Sequence, residues 1–169
     1  MSAETVISLW KEARGGLIEE TEKIPEDQFS FRATPDTRSV AELLQHVIST
    51  QKIIVGEACR PDSNLRRQSF AAHAKEYAPG VDDVSDKNGL LNLLRSSMDE
   101  AATSINSYGE KLDERMTGLT GQSITKTAFL TFGLSHEMYH RGQLTVFERL
   151  LNIEPALTER FRRLTASAG

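Results

Sequence analysis

The chain has 169 residues, 38% of them hydrophobic and 26% charged, with a formal net charge of −4. These values suit one globular domain over residues 1–169. They give no electrostatic basis for binding nucleic acid or an anionic membrane, and the apolar runs are far too short to cross a bilayer. Cys59 is the only cysteine, which excludes an internal disulfide and a cysteine metal cluster and fits a reducing cytoplasm. The N-terminus, MSAETVISLWKEAR, lacks the basic and apolar regions of a signal peptide.

The hydrophobic period is helical in every long segment. In the first, Val6, Trp10, Ala13, Leu17 and Ile24 recur at helical spacing up to Pro25, although Gly15-Gly16 weakens the middle. PEDQFSFRATPDTRS is rich in turn formers and reads as a loop. A second helix starts at Ser39, where Glu42 completes a capping box. It runs through Leu43, Leu44, Val47, Ile54 and Val55 to Arg60-Pro61. Residues 61–85 read as a long connection with a short helix near RRQSFAAHAKEYA. A third helix covers Asp86 to Tyr108 and a fourth Gln122 to Leu151, with Pro155 beyond it. ALTERFRRLTA closes the chain as a short basic helix. Four long amphipathic helices predict an all-α four-helix bundle, with connections long enough to be crossovers.

The fourth helix places Phe129, Phe132, His136, His140, Gln143 and Phe147 on one face. Two imidazoles one turn apart can reach a common metal ion. They can equally lie on an edge, solvated or bonded to carbonyls. His46, at the flank of the second helix's apolar face, supplies a third candidate ligand. The three together make a three-histidine metal site in the bundle interior, with a coordination position left open. His73 lies in the polar connection and reads as a surface residue. Cys59 reads as structural.

RSVAELLQHVIST (Arg38 to Thr50) and SHEMYHRGQLTVFERLL (Ser135 to Leu151), with H-x-x-x-H-R-G-Q, resemble the DinB/YfiT superfamily of four-helix-bundle metal proteins. The resemblance covers nearly the whole chain. It implies that His46, His136 and His140 bind a divalent metal, commonly zinc or nickel. It also implies a small-molecule substrate, a low-molecular-weight thiol as cofactor or co-substrate in some members, and a frequent homodimer. A sequence motive for the dimer is that Leu130, Leu134, Leu144, Leu150 and Leu151 lie off the histidine face of the fourth helix. The sequence departs from the family pattern after Leu151.

HEMYH also matches the H-E-x-x-H pattern of zinc proteases, in which Glu137 would polarise a water and Glu154 or Glu159 could serve as third ligand. The Arg-Gly-Gln that follows and the second-helix histidine favour the bundle reading. A third reading is a metal-binding bundle without catalysis. Arg141 is expected in an ion pair or at an anionic substrate. Gly142 is expected to admit a close neighbour, and Gln143 to hydrogen-bond beside His140.

Overall fold

The computed structural model describes residues 1–166. Four long helices, α1 (Ala3–Lys23), α2 (Val40–Ala58), α4 (Lys87–Tyr108) and α5 (Lys126–Leu150), form the bundle, with α3 (Phe70–Tyr77) and α6 (Ala156–Ala166) outside it. Each long helix opens on a side chain that accepts a backbone N–H of its first turn: Ser2, Ser39, Asp86 and Thr125. Ser39 and Glu42 form the predicted capping box. Gly15-Gly16 does not interrupt α1, because Gly16 serves packing. A Cβ there would lie 2.2 Å from the Arg141 guanidinium carbon.

The pairs of long helices in extensive contact are α1–α5, α5–α2, α2–α4 and α4–α1. Chain-consecutive α1 and α2 therefore lie across a diagonal, as do α4 and α5. That arrangement explains the α1–α2 and α4–α5 connections, since a diagonal neighbour cannot be reached by a tight turn, while the longer α2–α4 connection joins helices in contact and carries α3.

The α4–α5 connection contains a two-stranded antiparallel hairpin, β1 (Arg115–Thr117) and β2 (Ser123–Thr125), where the sequence predicts the start of a helix. Thr and Ile flank Gly118 and Gly121, and Gly121 takes φ +86° in the turn. This is a short hairpin signal that the helical period around it masks. The hairpin is pinned to the other long connection, Leu65 N–H donating to the Thr117 carbonyl at 3.0 Å.

Two apolar clusters fill the bundle. One holds Val6, Trp10, Ile54, Ile105 and Leu130, and the other Leu17, Leu44, Ile48, Leu90 and Leu144. Along every long helix a buried polar side chain stands between them: Arg14 on α1, Gln51 on α2, Ser97 on α4 and Glu137 on α5. Arg14 Nη1 donates to Ser97 Oγ at 2.9 Å and to the Leu94 carbonyl at 2.7 Å, and Gln51 Nε2 donates to the Ser97 carbonyl at 3.1 Å. The bundle thus has a polar belt at mid-height. Gly133 lets Trp10 reach this level, since a Cβ there would stand 2.6 Å from the indole.

His73 is buried rather than on the surface, because α3 packs on α2. Its Nε2 donates to the Leu65 carbonyl at 3.1 Å, and its Nδ1 pairs with Gln68 Nε2 at 3.2 Å. The dimer motive drawn from the α5 leucines also changes. Leu130 and Leu144 are fully buried in the chain's own two clusters, and Leu134 and Leu151 pack against them. With both α1 and α2 against α5, a single chain consumes these faces.

Glu20 on α1 accepts from Arg141 Nη2 at 3.1 Å, from Leu157 N–H at 3.2 Å and from Ala156 N–H, so it caps α6 from another helix. Beside it Glu148 is buried, and among the described residues no N–H donates to either of its carboxylate oxygens. Burial first, then the Glu20 carboxylate, pushes the Glu148 pKa up to about 8. A carboxyl protonated in the fold contributes stability that is fully present below its unfolded value of 4.5 and is lost as pH rises toward 8. Glu148→Gln is therefore expected to remove this decline. Urea midpoints followed from pH 5 to 9 should fall for the wild type relative to the variant, and parallel curves would contradict the assignment.

Candidate metal centre

His46 comes from α2, and His136 and His140 from successive turns of α5. The α2–α5 contact brings all three to one point. His46 Nε2 and His136 Nε2 are 3.1 Å apart, and His140 Nε2 and His136 Nε2 are 3.0 Å apart. Each residue offers one ring nitrogen within 4.8 Å of the others. A tetrahedral ion with nitrogen ligands at about 2.0–2.1 Å separates them by roughly 3.3 Å, close to the two separations from His136.

Gln143 Oε1 lies 2.7 Å from His140 Nδ1. A carbonyl oxygen only accepts, so Nδ1 carries the proton and Nε2 turns its lone pair to the common point. Burial first, then the Arg38 charge, lowers the His46 pKa to about 3, and burial and His140 lower that of His136 to about 4. Burial also lowers the His140 pKa, opposed by Gln143. At neutral pH all three rings are neutral, the form that ligates a metal.

Glu137 faces the other way. Its Oε1 accepts from Arg14 Nε at 2.5 Å, and its Oε2 accepts from Trp10 Nε1 at 2.7 Å and Arg14 Nη2 at 2.8 Å. The carboxylate is a buried member of the polar belt, held by α1, and not a base beside the histidines. The downstream carboxylates are also engaged elsewhere: Glu154 with Arg162 at 3.0 Å and Glu159 with Lys23 at 2.5 Å. The protease reading of H-E-x-x-H loses both its base and its third ligand. Arg141 forms the ion pair expected of it, with Glu20. Burial pushes the Cys59 thiol up to about 11, which leaves it inert as a nucleophile.

Two clefts flank the cluster along α2 and α5. Toward Ile53 and Phe129 lies a cavity of about 550 Å³ bounded by α2, α5 and the hairpin, reaching His46 and His136. Phe132, on the same helix face as the histidines, stands at the mouth and is 55% exposed. Toward Leu43 and Phe147 lies a cleft of about 610 Å³ that holds Thr37, Arg38 and Gln143. Arg38 is exposed, and among the described residues it forms no ion pair or hydrogen bond, while its charge acts on all three imidazoles. Arg14 and Arg38 carry no local signal in the sequence that marks them out, and neither they nor Thr50 are among the residues expected at the site. For Thr50 the available signal was its place one turn after His46.

Fold and site together define a class: a four-helix bundle with three histidines converging between its second and last long helices. The chain belongs to the DinB family, whose model matches residues 1–166. It is 24% identical over 148 residues to the uncharacterized protein YjoA of Bacillus subtilis (strain 168), covering 85% of this chain and 87% of YjoA. The crystal structure of YjoA superposes with a TM-score of 0.66 at 19% identity, covering 88% of this chain and 92% of that one. YfiT from Bacillus subtilis, described as a probable metal-dependent hydrolase with an unusual four-helix bundle topology, superposes at 0.69 with 15% identity, covering 90% of this chain and 89% of YfiT. A mycothiol-dependent maleylpyruvate isomerase superposes at 0.67 with 13% identity, covering 85% of this chain and 61% of the isomerase. At these identities the structural likenesses establish the fold.

Proposed function

We propose that this protein is a metal-dependent enzyme acting on a small molecule, with His46, His136 and His140 as the ligands of one divalent ion, zinc or nickel. The observation that carries this is the approach of three neutral imidazoles, Nε2 to Nε2, at 3.0 and 3.1 Å. The description of YfiT as a probable metal-dependent hydrolase supports it. When bound, such an ion supplies Lewis-acid chemistry, lowering the pKa of a water or thiol. The chain's own residues do the rest: Gln143 fixes the His140 ring, Arg38 offers a free cation at the rim, and the apolar cavity excludes water.

A low-molecular-weight thiol is proposed as co-substrate, its polar body in the cleft beside Arg38 and Gln143. The likeness to a mycothiol-dependent isomerase supports this. A bundle that binds metal only for bracing would have no need of a substrate-sized cavity that reaches two of the ligands, His46 and His136. Protein purified without a histidine tag is expected to carry one divalent ion per chain, and an electrophile screen is expected to show activity that depends on an added thiol. Metal-free protein that binds no zinc or nickel would overturn the proposal.

A homodimer is also proposed. Phe132, Tyr139, Val146 and Leu150 recur along α5 at spacings of four and seven and are 52–65% exposed. Gly142 lies on the same stripe, with open space where a Cβ would stand. A second copy of the chain would cover this stripe. Light scattering at micromolar concentration is expected to give twice the chain mass. A value near 18.8 kDa, that of one chain, would exclude the dimer.

A further inference from the structure

The cavity beside His46 and His136 differs in chemistry from the cleft that holds Arg38. Its walls are Ile53, Ile54, Leu65, Ile124 and Phe129, with Thr120 and Gln122 at the hairpin, and among the described residues no Asp, Glu, Lys or Arg lines it. Its volume, about 550 Å³, is that of a small-molecule site. Phe70 and Leu119 stand around it 52% and 66% exposed, apolar surface left to water where a ligand would enter. A charged group placed here would lose its hydration with no counter-charge in return.

Thr50 lines the same cavity one helical turn beyond His46. Several helical threonines bond back to a carbonyl one turn earlier, Thr21 to Leu17, Thr103 to Asp99 and Thr131 to Thr127, while Thr127 donates to the Leu112 carbonyl of another element. Thr50 does neither. Its residue is 6% exposed, and its Oγ1 is buried without any partner. A buried hydroxyl left unpaired is unfavourable, and a turn about χ1 would bring it to a polar atom delivered into the cavity.

We propose that this cavity binds the uncharged, aromatic or branched-aliphatic body of the substrate, and that Thr50 Oγ1 hydrogen-bonds a polar atom which that body carries toward the histidines. The inference rests on the reading of the histidines as the reactive end of the site. It divides the two clefts by charge: the electrophilic substrate is neutral and apolar, and charged groups are left to the other cleft, which both Asp36 and Arg38 line.

Three probes test it by calorimetry on the full chain: 1-naphthol, naphthalene and 1-naphthoate, with and without prior chelation of metal. The wild type is expected to bind 1-naphthol saturably at one per chain. After chelation 1-naphthoate should bind at least tenfold more weakly than 1-naphthol. Ala128→Trp, at an exposed position on the cavity wall, should weaken 1-naphthol at least tenfold. Thr50→Val should weaken 1-naphthol by about two- to tenfold, the worth of one hydrogen bond, and leave naphthalene unchanged. Absence of saturable 1-naphthol binding, indifference to Ala128→Trp, an equal effect of Thr50→Val on both neutral probes, or tighter binding of 1-naphthoate would each overturn the proposal. Metal content is measured on the same samples. Loss of 1-naphthol binding with metal retained refutes the cavity alone, and binding by a protein that takes up no metal refutes the metal reading alone.

Discussion

Replacing His46 with alanine is expected to weaken zinc or nickel binding by more than about 100-fold, because loss of an outer partner already costs about 10–100-fold and a direct ligand contributes more. His46 is the only one of the three imidazoles that comes from α2. The two left on α5 would hold an ion from one side alone. The substitution should also abolish any rise in melting temperature on adding metal, since an ion that binds only the folded chain stabilises it by mass action. Gln143→Ala leaves all three ligands and frees the His140 ring, so its loss of affinity should fall within about 10–100-fold. Competition against a chromophoric chelator measures both. An unchanged stoichiometry and affinity in the His46 variant would remove the three-histidine site.

The second large effect is on stability. Arg14→Ala should destabilise the protein by about 3–5 kcal/mol, the usual result of leaving one charge of a buried pair uncompensated. The side chains of Arg14 and Glu137 are 2% and 1% exposed, so solvent does little to screen the loss. Without Arg14, the Glu137 carboxylate keeps only the Trp10 indole N–H as a donor, and Ser97 Oγ and the Leu94 carbonyl lose the guanidinium. Urea unfolding should show a lower midpoint with an unchanged slope. The double variant Arg14→Met/Glu137→Leu should recover most of the loss, since an apolar pair of similar volume often equals a buried ion pair. Folded Glu137→Gln should retain metal, and the wild type should not cleave unstructured casein-like substrates. Metal-dependent proteolysis lost on that substitution would restore the protease reading.

His136, which meets His46, and Glu137, which meets Arg14, are adjacent residues of one helix that differ in what they face. A step of one residue turns a side chain about 100° around the helix. That much is legible in the sequence, as are the helical period of each long segment, the capping box at Ser39 and Glu42, and the placement of His136, His140 and Gln143 on one face. All follow from hydrogen bonds and sterics between residues a few positions apart. Whether the carboxylate 100° away meets water, a metal or another helix is not a local matter.

Tertiary structure decided it. Glu137 meets Arg14, 123 positions earlier in the chain, because α1 packs against α5. The same packing buries Leu130 and Leu144 within one chain and leaves Phe132, Tyr139 and Val146 exposed. Docking of α3 onto α2 buries His73, although its local surroundings in sequence are polar. The hairpin, only three residues per strand, carries too little alternation to stand out, yet it forms a wall of the apolar cavity. The order of residues along the chain, through the helical repeat, determined which side chains share a face. Only the diagonal arrangement of the bundle determined which faces meet, because that depends on the combined burial of all four helices and on pairing charges far apart in sequence.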